Sequence, residues 1–353
     1  MARRPGLKTM PLIQVRCRLE AERRDTWDLY LPLSRLRLEV HDSLAPLAGR
    51  FRLRLDADEH RGPLQLSPTA AGQLAAIAGL PASVLEALPA SLGLKTVRCM
   101  LAMAIEAADD CPRLLRLRGR PGSGKEPRLR AVLPQSFVRI DDRQILGTLA
   151  GLPGTETLQA SNVQISEDLF ALRLVRDDPL NLGSARQPDD VLPGIDVRAS
   201  ETGCHPLEVR NVLFRVVCGN GLTLITARQQ ALRARNTRLT HERFREAARH
   251  ALQRLDGAAR DGAARLQQAR SRYVQDPVQE VACIFWTHRL GNPQGRLGRW
   301  VADELRRGSN LFGVDRFQIV QAFTAVARDL DQAQRLRFED AMGAYLVEGM
   351  GRR

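Results

Sequence analysis

The chain has 353 residues, 44% hydrophobic and 26% charged, so it can bury a sizeable core and is too apolar to be a disordered protein. No run of about 18 apolar residues occurs, which excludes a membrane-spanning helix, and the basic N-terminus lacks the apolar stretch of a secretion signal. A formal net charge of +13 points to an acidic partner, nucleic acid above all.

Residues 12–55 alternate apolar and polar side chains at Ile13/Val15/Cys17/Leu19, Leu36/Leu38/Val40 and Phe51/Leu53/Leu55. Period two predicts strands of an antiparallel sheet with one wet face. A helix follows, with Ser67 as N-cap, Pro68 in the first turn, and Gly79 and Pro81 ending it. Ser83 and Glu86 have capping-box spacing for a short successor, and residues 91–108 read as a mostly buried Ala/Leu/Met helix.

Leu114–Arg118 and Arg128–Leu133 predict two strands, Asp141–Ala150 a short helix, and Leu158–Ile165 with Leu169–Val175 a second strand pair. Asp177–Pro193, polar and with three prolines, reads as a loop. Over 207–218, Val209, Val212, Leu213, Val216 and Val217 form a single helical stripe, ended by Gly219. A strand needs a change of face near Asn211, although the valines favour one. The helix is preferred, followed by a strand over Leu222–Thr226. Residues 240–274 predict a helix with Gly257 and Gly262 inside it, hence two pieces or one held by packing, and 276–350 three or four ordinary helices. The expected class is α+β: an antiparallel or mixed sheet with packed helices over 1–227, a basic helical segment over 228–275, and a helical region over 276–353.

Cysteines 17, 99, 111, 204, 218 and 283 are scattered without a Cys-x-x-Cys pair. Their spacing fits a reducing, cytoplasmic setting and no metal or cofactor site. Gly119-Arg-Pro-Gly-Ser-Gly124-Lys125 imitates a phosphate-binding loop, but Glu126 replaces the magnesium-binding hydroxyl and a strand, not a helix, follows. It is read as a hairpin turn. Cys204 and His205 are adjacent and point apart on an extended chain, which disfavours a nucleophile pair.

Positive charge is clustered. Residues 228–272 hold twelve arginines against four acids, and 113–130 seven basic residues against one acid. Arg116, Arg118, Arg128 and Arg130 alternate along the two strands, and Arg243, Arg249, Arg254 and Arg260 recur along the helix. They are the candidate nucleic-acid contacts. Only three basic residues are lysine, so genome composition competes with function as the source of the arginines. Arg215, inside an apolar run, needs an acid partner, with Glu201, Glu208 and Asp196 as candidates, or else a phosphate or active-site role.

The central motifs are Ala199-Ser200-Glu201-Thr202-Gly203 and Arg215-Val216-Val217-Cys218-Gly219-Asn220-Gly221. In these the chain resembles an uncharacterised phage/plasmid-like family, whose turn Asn-Ser-Glu-x-Gly precedes Arg-x-Val-Cys-x-Asn-Gly by about fifteen residues. The likeness covers roughly residues 60–250, and Ala199 stands where the family has asparagine. It implies a mobile-element setting, work on DNA inside the cell, and no known activity. Single-strand annealing proteins offer a fold-level analogy only. The expected function is a nucleic-acid-binding accessory protein, single-stranded DNA before duplex, with a possible homo-oligomer and no membrane partner. Two alternatives stand beside it: a nucleic-acid-processing enzyme built from Ser200, Glu201, Arg215, Cys218 and Asn220, or an interaction protein that counters host defence.

Overall fold

The computed structural model describes residues 9–41, 49, 51–56, 62–107, 110–119, 126–181, 190–215, 230–234, 240–308 and 313–348. It is α+β, as the patterning predicts. Helix α1 (Leu12–Glu22) leads into strand β1 (Thr26–Leu31), then β2 (Leu36–Val40), β3 (Phe51–Leu55) and β4 (Pro63–Leu66). Helices α2 (Pro68–Ile77), α3 (Ala82–Ala87) and α4 (Ala90–Ala107) precede β5 (Arg113–Arg118) and β6 (Arg128–Pro134). These strands form one mixed sheet in the order β1-β5-β6-β4-β3-β2, in which only the β4–β6 pair is parallel. One face packs Leu53, Leu64, Leu115, Leu117 and Leu129 on Ala71, Leu74 and Ala75 of α2.

The second sheet is antiparallel. Helix α5 (Asp142–Ala150) is followed by β7 (Leu158–Ile165), β8 (Phe170–Arg176), the short β9 (Leu180–Asn181), β10 (Asp190–Ala199), β11 (Leu207–Arg215) and β12 (Gln230–Ala234). Their order is β12-β11-β10-β8-β7, with β9 beside β10. Alternate residues Phe170, Leu172, Leu174, Ile195, Val197 and Val209 cover one face. That face packs on Val15 and Leu19 of α1, on α5, and on Phe244, Ala248 and Ala251 of α6 (His241–Gln253).

Helix α7 (Leu255–Arg270) is separated from α6 by Arg254 and runs through both glycines. A Cβ at Gly262 would lie 2.4 Å from Leu213 Cδ1, so the glycine lets α7 approach β11 closely. Beyond the short β13 (Tyr273–Val274) come α8 (Pro277–Thr287), α9 (Arg296–Gly308), β14 (Val314–Asp315), α10 (Arg316–Ala327) and α11 (Gln332–Glu348). Their core contains Phe285, Phe323 and Phe338, and it joins the second sheet at Val191 and Leu213. Helix starts follow sequence chemistry: Ser67 Oγ accepts from Ala70 N at 2.9 Å, and Asp315 and Gln318 cap one another at 2.7 and 2.8 Å.

Four expectations are corrected. Residues 12–19 form α1, not a strand, because Val15 and Leu19 (one turn apart) are the buried pair while Ile13 and Cys17 face solvent. Residues 207–215 form a strand, not a helix. Pairing with β10 and β12 decides the matter, and the irregularity is a register shift at Val209/Arg210. The supposed loop 177–193 contains β9 and the start of β10, with Pro193 inside the strand. Pro81, not Ser83, precedes α3, so the supposed cap lies within the helix. Within 91–107, Val97 is buried and Leu94 and Met100 are half-buried against the same core, whereas Leu92 and Met103 are exposed. Leu222–Thr226, Cys218, Asn220 and Gly221 lie outside the described residues.

Candidate functional site

The turn after β10 is the junction of the two sheets. Ser200 Oγ accepts the amides of Thr202 and Cys204 at 3.2 and 3.1 Å, which closes the turn. Gly203 takes φ +76°, as a turn-ending glycine should, and a Cβ there would meet Leu133 Cδ2 of β6 at 3.0 Å. Gln73 of α2 donates to Thr202 O at 2.8 Å, and Gln73 Oε1 accepts from Val132 N at 2.7 Å. Polar bonds, together with Leu133 and Phe137, therefore seat the turn on the first sheet.

Glu201 sits in this junction, 5% exposed. Its Oε2 accepts from Arg130 Nη1 at 2.8 Å and lies 3.5 Å from Arg23 Nε, and its Oε1 accepts from Asp142 N at 3.1 Å. Arg116 donates to Glu201 O at 3.2 Å, to Asp28 at 3.1 Å and to Asp141 at 2.6 Å. Arg23 gives Asp142 Oδ2 two bonds, at 3.1 and 2.8 Å. Burial pushes the Glu201 carboxyl up, but Arg116, Arg23 and Arg130 outweigh it and hold the pKa down at about 2. An anion so fully paired is a structural clamp and a poor general base.

A second buried cluster lies on the other face of the antiparallel sheet. Asp196 of β10 faces Arg173 of β8 and Arg210 of β11 in register. Its Oδ2 accepts from Arg198 Nε at 2.8 Å and Arg210 Nη2 at 3.0 Å. Helix α11 closes the cluster, with Glu339 accepting from Arg173 at 2.7 Å and Asp340 from Arg198 at 2.8 and 3.0 Å. Nothing in local spacing marks this set except the i, i+2 pair Asp196/Arg198.

Arg116, Arg118, Arg128 and Arg130 do share one face of the first sheet, but they do not share exposure. Arg116 is 4% exposed and Arg130 is fully buried, so neither offers a surface to phosphate. Arg118 and Arg128 are about two-fifths exposed, at 41% and 40%, and lie 3.5 Å from Glu22 and 3.4 Å from Glu167. Arg243, Arg249, Arg254 and Arg260 are exposed on α6, α7 and the step between them, as is Arg245, which spacing alone did not single out. The side chains of Arg245, Arg249 and Arg254 form no ion pair with another described residue. Asp256, the acid between the helices, is engaged by Arg176 at 2.7 Å.

Arg215 ends β11 opposite Val191. Its side chain lies outside the described ones; of the acids considered for it, Glu201 meets Arg130, Asp196 meets Arg198 and Arg210, and Glu208 meets Arg233. Among the described residues no hydrogen bond joins Ser200 or Cys204 to a histidine. Cys204 Sγ lies 3.4 Å from Thr69 Oγ1, and burial lowers the pKa of His205. The described residues contain no His/Cys/Asp/Glu group able to hold a metal, and no helix long and apolar enough to cross a membrane. No family model matches the chain, and no characterised protein or solved structure matches it.

Proposed function

We propose that this chain is a nucleic-acid-binding accessory protein of a mobile genetic element that takes single-stranded DNA on the outer side of α6 and the start of α7. One observation carries the reading. Where most arginines of the sheets are locked in ion pairs, Arg245, Arg249 and Arg254 present guanidinium groups to solvent and form no ion pair with a described residue. Such a face attracts a phosphate backbone and releases its counterions. Arg118, Arg128, Arg243 and Arg260 are further exposed or half-exposed cations, whereas Arg116 and Arg130 drop out. Exposed aromatic rings are few, Tyr30, Tyr273 and Trp286 being the large ones, so affinity would come from charge more than from base stacking. The work belongs to recombination or replication in the cytoplasm, in line with the phage/plasmid-like resemblance of the central motifs. The test is a salt titration of binding to an unstructured oligonucleotide. Affinity that falls with log salt by roughly 0.7 per phosphate contact supports the reading, and no salt dependence at micromolar affinity or weaker removes it.

A protein-interaction role is favoured by a different feature. A cleft of about 640 Å³ opens between α8 and α9, lined by Val278, Val281, Trp286, Ala302 and Leu305. Val278 and Trp286 are largely exposed. Apolar surface of this kind is common at contact sites. Loss of the nucleic-acid signal in the titration would bring this reading forward.

A further inference from the structure

The junction between the sheets contains one arginine shared by two carboxylates. Asp142, the first residue of α5, is wholly buried. Its Oδ2 takes both bonds from Arg23, while its Oδ1 is buried without a hydrogen-bond partner. Arg23 Nε lies 3.5 Å from Glu201 Oε2, and the Asp142 amide binds Glu201 Oε1 at 3.1 Å. Two anions therefore compete for one guanidinium among buried groups, where charges interact strongly. Glu201 has further support from Arg130 of β6 and Arg116 of β5, and Asp142 has none beyond Arg23 in direct contact.

We propose that Asp142 is the proton-binding half of a pH-sensitive latch between the two sheets. It takes the proton at Oδ1, the oxygen that lacks a partner. Neutral Asp142 leaves Arg23 to Glu201, and Glu201 holds Arg130 of the first sheet without a rival anion. Loss of the proton sets Asp142 against Glu201 and weakens that hold.

The groups facing Asp142 are Arg23 at the end of α1, Glu201 from the turn and Arg130 from β6, with Arg116 and Asp141 alongside. Burial first, and then the charge of Glu201, raise its pKa, against Arg23 and Arg130, to about 7. A raised acid pKa means that the folded chain keeps a proton which the unfolded chain releases near pH 4. The stability it contributes is complete at low pH and lost as pH rises towards 7.

The experiment compares unfolding of the full chain and Asp142→Asn at pH 5, 6, 7 and 8.5. The ratio of wild-type to variant unfolding constants should climb by up to about tenfold per pH unit below 7 and level off above it. Carboxyl carbon resonances of ¹³C-aspartate wild type supply a measurement that needs no variant, with one resonance titrating near neutrality. Amide protection of residues 128–133, corrected for intrinsic exchange, should fall between pH 6 and 8.5. A flat ratio, aspartates all ionised at pH 6, or unchanged protection would each overturn the latch.

Discussion

Arg173 on β8 donates to the Glu339 carboxylate of α11 at 2.7 Å, across 166 residues of sequence and with both side chains buried. Arg335 reaches the other oxygen of Glu339 at 3.1 Å. The contact fastens the C-terminal helices to the antiparallel sheet. Removing one partner strands a buried charge, so Glu339→Ala should lower stability by about 3–5 kcal/mol. Arg173→Met together with Glu339→Leu should recover much of that loss. Urea midpoints of the single and double variants check both statements.

Arg130 and Glu201 are expected to behave as one unit. Arg130→Met and Glu201→Gln should couple by about 1–3 kcal/mol in a double-mutant cycle. The contact that joins them is Arg130 Nη1 to Glu201 Oε2 at 2.8 Å, while Arg215, which the sequence offers as a partner for Glu201, has its side chain outside the described ones. Additive losses would show that burial, and not the pair, supports the junction.

Gly203 combines a left-handed backbone with a close approach to Leu133. Gly203→Val should therefore cost about 1–3 kcal/mol from backbone strain, and more where Leu133 cannot shift. The melting temperature of the variant measures it. A change within error would mean that the turn relaxes freely.

How far the sequence revealed this architecture depends on the range of each interaction. The helix start at Ser67, and the strand pair over 158–175, rest on neighbours within a few residues and are legible. Period-two patterning misled at 12–19, where the i, i+4 pair Val15/Leu19 also fits a helix and the burial of that pair decided. Over 207–215 a helical stripe was present too, but cross-strand bonds to β10 outweighed it. Arg116 and Arg130 pass for phosphate contacts in the sequence because charge counts see only nearby acids. Arg130 meets Glu201 71 residues away, and Arg116 meets Asp28 88 residues away. Tertiary partners at that distance leave no local trace.

Acid should unfold the protein through the same pairs. Burial raises the Asp196 carboxyl, yet Arg198, Arg173 and Arg210 together carry its pKa well below the usual carboxylate range, and Glu201 is held at about 2. For a depressed acid pKa, the stabilisation is full above the unfolded value near 4 and disappears as pH falls through the folded value. Stability should thus drop steeply below pH 4. Asp196→Asn should be weaker at neutral pH and show a shallower acid limb in melting temperature against pH. Parallel limbs in the two proteins would place the acid sensitivity elsewhere.

The final expectation separates arginines that hold the fold from those offered to a ligand. Arg249 and Arg254 are exposed without an ion pair, so their reversal to glutamate should leave stability within about 0.5 kcal/mol of wild type. The same reversal should weaken oligonucleotide binding for all sequences alike and reduce the salt slope by roughly 0.7 for each phosphate contact removed. Arg130→Met should do the opposite: it should destabilise the protein, because Glu201 loses a buried partner, while the salt slope of the molecules that remain folded stays unchanged. A salt titration on each variant, at a temperature well below its melting point, distinguishes the two classes. Equal slopes for wild type and the Arg249/Arg254 reversal would mean that this face carries no phosphate, and the net charge would then be a property of composition.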